Sequence, residues 1–236
     1  MSWHVATVVG TRELTATARE LTLSVPGFAG ALPGQHVDVR LTAPDGYQAT
    51  RAYSLAEAGD DERVDLVVDE VPGGEVSPYL TRDARPGDQV EVRGPLGGYF
   101  VWHDADPGPV LLVAGGSGVV PFLAMLRARR AAGRPAPFRL VCSVRSPHDA
   151  IEREEIDTPD PGLEVRWVYT REAPPGWPAP PRRLIADDLT ARGFGPGDDT
   201  SVFACGPTGF VEAAATLLTG LGHPPARVRT ERFGGA

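Results

Sequence analysis

The sequence predicts two domains of different class: an antiparallel β-barrel, then an α/β domain built on a parallel sheet. Three observations carry this. Residues 1 to about 103 hold six short strand-like runs separated by Gly- and Pro-rich turns. Residues 104–109, DADPGP, read as a linker. After them, nearly continuous apolar runs alternate with helix-patterned segments, as in a parallel sheet buried on both faces. The expected domains are 1–103 and 104–236.

The six runs of the first half are HVATVVG, ARELTLSV, HVDVRL, RAYSL, RVDLVVDEV and QVEVRG. Turn residues bound each one. A helix-patterned stretch, VSPYLTRDA, interrupts them. The second half opens on the strand PVLLVAG and the helix VVPFLAMLRARRAAG. FRLVCSV, LEVRWVYT and TSVFACG are further strands; DAIEREEI, RRLIADDLTARG and FVEAAATLLTGLG are expected helices; RVRTERF closes the chain. The Pro-rich REAPPGWPAPPRR is a loop.

Composition removes several functions. All 23 Lys and Arg residues are arginine, which excludes Schiff-base chemistry and any lysine-dependent phosphate loop. A net charge of −8 argues against general nucleic-acid binding. No apolar run approaches the roughly 20 residues of a membrane helix, so no membrane insertion is expected. The N-terminal MSWHVATVV lacks the basic-then-apolar pattern of a secretion signal. The two cysteines, Cys142 and Cys205, form no CxxC and are too few for a four-thiolate iron–sulfur cluster. A cytoplasmic location is expected. The five histidines have no ligand spacing, so no metal site is expected.

Three stretches stand out. In RAYSLA, Arg51 and Tyr53 share one face of a strand, where alternation should have placed a core residue. AGGSGVVPF joins a parallel strand to a helix. Its Gly115, Gly116 and Gly118 permit close backbone approach, and a helix N-terminus offers N–H groups to a phosphate. The spacing is not GxGxxG, so a tight structural turn explains it equally well. ACGPTGF ends a later strand, where open α/β sheets bind ligands. Cys205 is expected to face that crevice, although a lone thiol is more often structural.

Seven motifs in order resemble the ferredoxin–NADP reductase family: PGQHV, RAYSL, GGEVSPYL, RGPLGGYF, GGSGVVP, CGPTGF and TERF. The resemblance covers nearly the whole chain and is nearest to the two-domain flavin reductases serving oxygenases, without their Cys-rich domain. It implies that Arg51 binds a flavin phosphate and Tyr53 packs on the isoalloxazine, with Ala52 between them. Ser54 would reach the reactive N5, which needs a local twist or a backbone contact. Gly73 and Gly74 would free the backbone, so that Val76 and Ser77 hold the diphosphate. Gly115, Gly116, Gly118, Cys205, Gly206 and Pro207 would hold the nicotinamide nucleotide. Ser54, Cys205, Glu231 and Phe233 would form the hydride-transfer pocket, with Phe233 over the flavin. Gly234, Gly235 and Ala236 follow it, so the terminal-aromatic pattern is only partly met.

The resemblance implies FAD rather than FMN, and NAD(P)H as reductant. Arg145 and Arg171, with Arg182 and Arg183 beyond, favour NADPH over NADH through its 2′-phosphate. The implied activity passes electrons from NAD(P)H through FAD to a separate acceptor protein, a ferredoxin, oxygenase or other metalloprotein. A reductase of free flavin and a non-catalytic nucleotide-binding module are the alternatives.

Overall fold

The computed structural model describes residues 2–59, 62–106, 108–132 and 136–234. The chain divides into two compact units, Met1–His103 with Val120–Ala128, and Asp104–Val119 with Arg129–Ala236.

In the first unit, β1 (His4–Glu13), β2 (Ala18–Ser24), β3 (His36–Thr42), β4 (Gln48–Ser54), β5 (Arg63–Asp69) and β6 (Gln89–Leu96) form one antiparallel sheet. Its order is β4-β3-β6-β1-β2-β5. The edges meet through a Leu55–Leu66 bridge and a 2.9 Å bond from Ala56 N–H to the Asp65 carbonyl, closing a barrel. Alternation fills it: Ala6 and Val8, Leu21 and Leu23, Val37 and Val39, Val90 and Val92 all point inward and are buried. Burying each large apolar side chain is worth about 1.5–3 kcal/mol.

Strand β4 breaks this rule. Ala49 and Leu55 are buried on its core face, 7% and 1% exposed. Between them on that face, Arg51 is exposed and Tyr53 is half-buried. The core face is therefore open for two positions. The stretch expected as a helix, VSPYLTRDA, yields a single wide turn, Tyr79–Asp83, whose Leu80 anchors it to the barrel core.

In the second unit, β7 (Val110–Gly115), β8 (Phe138–Val144), β9 (Leu163–Tyr169), β10 (Ser201–Pro207) and β11 (Val228–Phe233) form a parallel sheet ordered β11-β10-β7-β8-β9. Every residue of β7 and β8 is buried, including Arg139 and Ser143 of β8, which interrupt its otherwise apolar run. Helix α4 (Thr208–Gly220) is full-length, as is α1 (Val120–Ala131), most of which groups with the first unit. The other two expected helices are much shorter. α2 is Arg153–Asp157, entered through Glu152 in a left-handed conformation. α3 is Ala186–Leu189. There, buried Asp188 accepts hydrogen bonds from the Ile185 N–H, Arg166 and Arg182, a local network that holds one turn and competes with a longer helix. Of RVRTERF, Val228–Phe233 form β11, an edge strand paired with β10. Of the three residues after Phe233, Gly235 and Ala236 lie outside the described residues. Among the described residues, no helix is long and apolar enough to cross a membrane.

Candidate functional site

In the first unit, the strand carrying RAYS and the turn carrying GGEVS meet. Arg51 Nη2 donates to Glu75 Oε2 at 2.9 Å, across 24 residues of sequence. Its Nη1 donates to the Thr50 carbonyl at 2.7 Å, and the Tyr47 hydroxyl donates to Glu75 Oε1. The Tyr47 hydrogen bond, followed by the Arg51 charge, holds the Glu75 carboxyl below its ordinary range. Beside Glu75, Gly73 has φ +74° and nothing within 4 Å of a Cβ built on it. Gly74 has no such space: a Cβ there would lie 2.9 Å from the Val71 carbonyl oxygen. A cavity of about 580 Å³ opens beside this cluster, with Tyr47, Ala49, Glu75 and Tyr79 in its wall.

Two expectations change here. Ser77, expected to offer its hydroxyl to a diphosphate, is buried, and its Oγ accepts from the Val71 N–H at 3.0 Å. The hydroxyl therefore braces the turn. The β3–β4 ladder runs regularly from Thr42–Gln48 to His36–Ser54. No bulge rotates Ser54, so its side chain shares the Ala52 face, opposite Arg51 and Tyr53. Burial pushes the Tyr53 phenol well above its ordinary pKa, which keeps the ring neutral.

In the second unit, the chain leaves β7 with neighbours β8 on one side and β10 on the other, so the strand order reverses between β7 and β10. The C-terminal ends of these strands carry the two glycine motifs, at the switch point where open sheets bind ligands. The glycines there have separate reasons. A Cβ on Gly118 would lie 2.1 Å from the Cys205 carbonyl oxygen, and one on Gly115 would lie 2.5 Å from the Phe210 ring. Gly206, at φ +155°, is also crowded by Phe210. These three let the β7 turn pack against the end of β10. Gly116 alone combines a left-handed φ of +55° with open space around it.

Cys205 is 1% exposed, so its thiol does not line an open crevice, contrary to expectation. Burial, and then the nearby Glu231 charge, raise its pKa, leaving a neutral thiol. Glu231 pairs with Cys205 in the ladder, and Phe233 pairs with Pro207. Burial lifts the Glu231 carboxyl to about 7. Phe233 is 38% exposed. Arg145 and Arg171 are exposed just beyond β8 and β9, and the Arg171 N–H donates to the Arg145 carbonyl at 2.9 Å. Arg182 is instead committed to Asp188. Trp177 stands edge-on to Tyr169 at 4.9 Å on the same side.

Sequence reasoning passed over Glu75 and Phe210. Both sit inside motifs already singled out. Nothing in their spacing shows that Glu75 meets an arginine 24 positions away, or that Phe210 forces two glycines.

The fold and these sites define a two-domain flavin- and pyridine-nucleotide-binding oxidoreductase. Residues 6–101 match the oxidoreductase FAD-binding domain family, and residues 112–216 the oxidoreductase NAD-binding domain family. The chain is 34% identical over 238 residues to ferredoxin–NADP reductase B of Sorangium cellulosum, covering 97% of this chain and 96% of that one. It is 30% identical over 202 residues to the toluate 1,2-dioxygenase electron transfer component of Pseudomonas putida, covering 86% of this chain and 58% of the relative's length. A solved ferredoxin reductase in carbazole 1,9a-dioxygenase superposes with TM-score 0.83 at 27% identity, covering 99% of this chain and 70% of that one. The chain belongs to the ferredoxin–NADP reductase family.

Proposed function

We propose that this chain oxidises NAD(P)H and delivers the electrons, through FAD, to a separate acceptor protein such as a ferredoxin, an oxygenase component or another metalloprotein. One observation carries the reading: Arg51 meets the Gly73–Gly74–Glu75 turn beside the uncovered core face of β4, and at Gly73 that turn is open. A guanidinium fork beside bare backbone is a phosphate-binding donor set. The half-buried ring of Tyr53 next to it offers a flat face to an aromatic ligand. Bound FAD supplies the redox centre, taking electrons as a pair from the nucleotide and releasing them onward.

The chain's own groups bind, orient and titrate. Arg51 anchors the flavin phosphate; Tyr53 packs the ring; Ala52 and Ser54 act through their backbone. Gly74, Val76 and Ser77 shape the turn that faces the phosphate. Gly116 admits the nucleotide phosphate, while Gly115, Gly118, Gly206 and Pro207 hold the turn that presents it. Cys205 acts as a neutral thiol packed behind this site, and Phe233 offers its exposed ring at the end of β11. With its carboxyl titrating near neutrality, Glu231 can hold or release a proton there at working pH.

NADPH is the preferred nucleotide in this reading, because Arg145 and Arg171, exposed and joined by a backbone hydrogen bond, offer two cationic side chains to a 2′-phosphate. A cytoplasmic location belongs to it too, since both cysteines are buried free thiols. The test is purification followed by an acceptor screen. Stoichiometric bound FAD with NAD(P)H-dependent reduction of a protein acceptor supports the reading. A colourless protein that consumes NAD(P)H only with added flavin would replace it with free-flavin reduction, and no oxidation with any acceptor would leave only a nucleotide-binding module.

A further inference from the structure

Glu75 has no place in the roles above, yet it touches the arginine on which the flavin reading rests. Its two oxygens accept from Arg51 Nη2 and the Tyr47 hydroxyl, so its position is fixed from both sides. The pair is solvated, with side chains 53% and 44% exposed for Arg51 and Glu75. Arg51 spends one donor on Glu75 and one on the Thr50 carbonyl, leaving the remaining N–H groups of its fork for a ligand. A phosphate held by those groups sits next to a fixed carboxylate.

We propose that Glu75 is a specificity residue that selects FAD against FMN by placing a negative charge beside the Arg51 phosphate site. The proposal rests on the reading of Arg51 as a flavin-phosphate ligand. The chemistry of the two phosphates differs in one respect that Glu75 detects. A phosphate within the FAD diphosphate is a diester with one negative charge. The FMN phosphate is a monoester that carries close to two at neutral pH, with a second pKa of about 6. At the dielectric of water, a like unit charge about 4 Å away costs about fivefold in affinity, and a doubled charge squares that factor. The solvent exposure of the pair makes the water value the appropriate one. Glu75 thus weakens FMN by about twenty-fivefold and FAD, whose second charge lies on the next phosphate roughly 6–7 Å away, by about twelve- to fifteenfold, a net selection of about twofold for FAD. Tyr47 keeps the carboxylate in place whether or not a ligand is present.

The test is the affinity of the flavin-stripped protein for FAD and for FMN, read by quenching of flavin fluorescence. Wild type, Glu75→Gln and Arg51→Ala are compared at about pH 7.5 and about pH 5, at low salt. Glutamine keeps both hydrogen-bonding oxygen and size while removing the charge. The expected result is that Glu75→Gln tightens FMN more than FAD at the higher pH, by about twofold in the ratio. This excess for FMN should disappear at the lower pH, where the FMN phosphate loses its second charge while Glu75, held below its ordinary range, stays ionised. A merely structural role would move both flavins alike at both pH values. Equal changes in FAD and FMN, or none, with Arg51→Ala still weakening both, would overturn the role of Glu75 and leave the phosphate site standing. If Arg51→Ala changes neither affinity, the phosphate site and the proposal fall together.

Discussion

At the scale of single residues, Arg51 and Glu231 carry the most exposed claims. Arg51 occupies a core-facing strand position and is neither buried nor apolar, a placement that stability alone does not favour. Arg51→Ala should weaken flavin binding ten- to a hundredfold, the usual effect of losing a charge-assisted contact of about 1.5–3 kcal/mol. Flavin titration of the purified variant measures it. Glu231 makes a prediction with a definite sign. Its folded pKa, about 7, lies above the ordinary 4.5, so the folded chain binds more protons than the unfolded one between those values. Stability therefore falls as pH rises from about 4.5 to 7 and is flat above. Glu231→Gln should remove that slope and leave the variant more stable than wild type at pH 8, by an amount on the order of 2–3 kcal/mol. Denaturant midpoints of the two proteins across the pH range provide the check.

At the scale of elements, legibility follows how local the signal is. The six barrel strands were readable because turn residues bound each run, and β7 and β8 because burial on both faces favours a mostly apolar sequence. The short α2 and α3 were not. Their sequences suit helices, but at α3 the ion pairs Arg166–Asp188 and Arg182–Asp188 compete for the local backbone, and the first of them spans 22 residues. Of the two routes open to Ser54, a local twist or a backbone contact, the regular ladder removes the twist and leaves the backbone contact. The glycine turn after β7 shows the limit of motif reading, since its residues look alike in sequence and differ in cause. Gly118→Ala should destabilise the chain by several kcal/mol, because its Cβ would strike the Cys205 carbonyl. Gly116→Ala meets no atom and should cost only about 1–2 kcal/mol of left-handed strain, while weakening NAD(P)H binding. Thermal unfolding alongside nucleotide titration separates the two; a Gly116→Ala protein with unchanged nucleotide affinity would show that the turn is purely structural.

For the whole molecule, charge and cysteine content constrain the partner. Both cysteines of the chain are buried free thiols, and the proposed reading sends the electrons to a separate acceptor. A net charge of −8 gives poor long-range attraction to an acidic acceptor. Exposed charges beyond about 8–10 Å are screened at physiological salt, so only a local arginine patch could reverse this. Coupled turnover with acceptor ferredoxins of graded charge should show weak salt dependence, with neutral or basic acceptors at least as good as acidic ones. A strong preference for the most acidic ferredoxin, lost on adding salt, would place a dominant cationic patch at the electron exit. The central claim, that one chain joins a flavin site to a nicotinamide site, is tested most directly by anaerobic mixing of the FAD-loaded protein with NADPH or NADH while the flavin's visible absorbance is followed. The account predicts rapid, stoichiometric bleaching by the nucleotide alone, faster at limiting concentration with NADPH. Bound FAD that keeps its absorbance with saturating amounts of either nucleotide would contradict it.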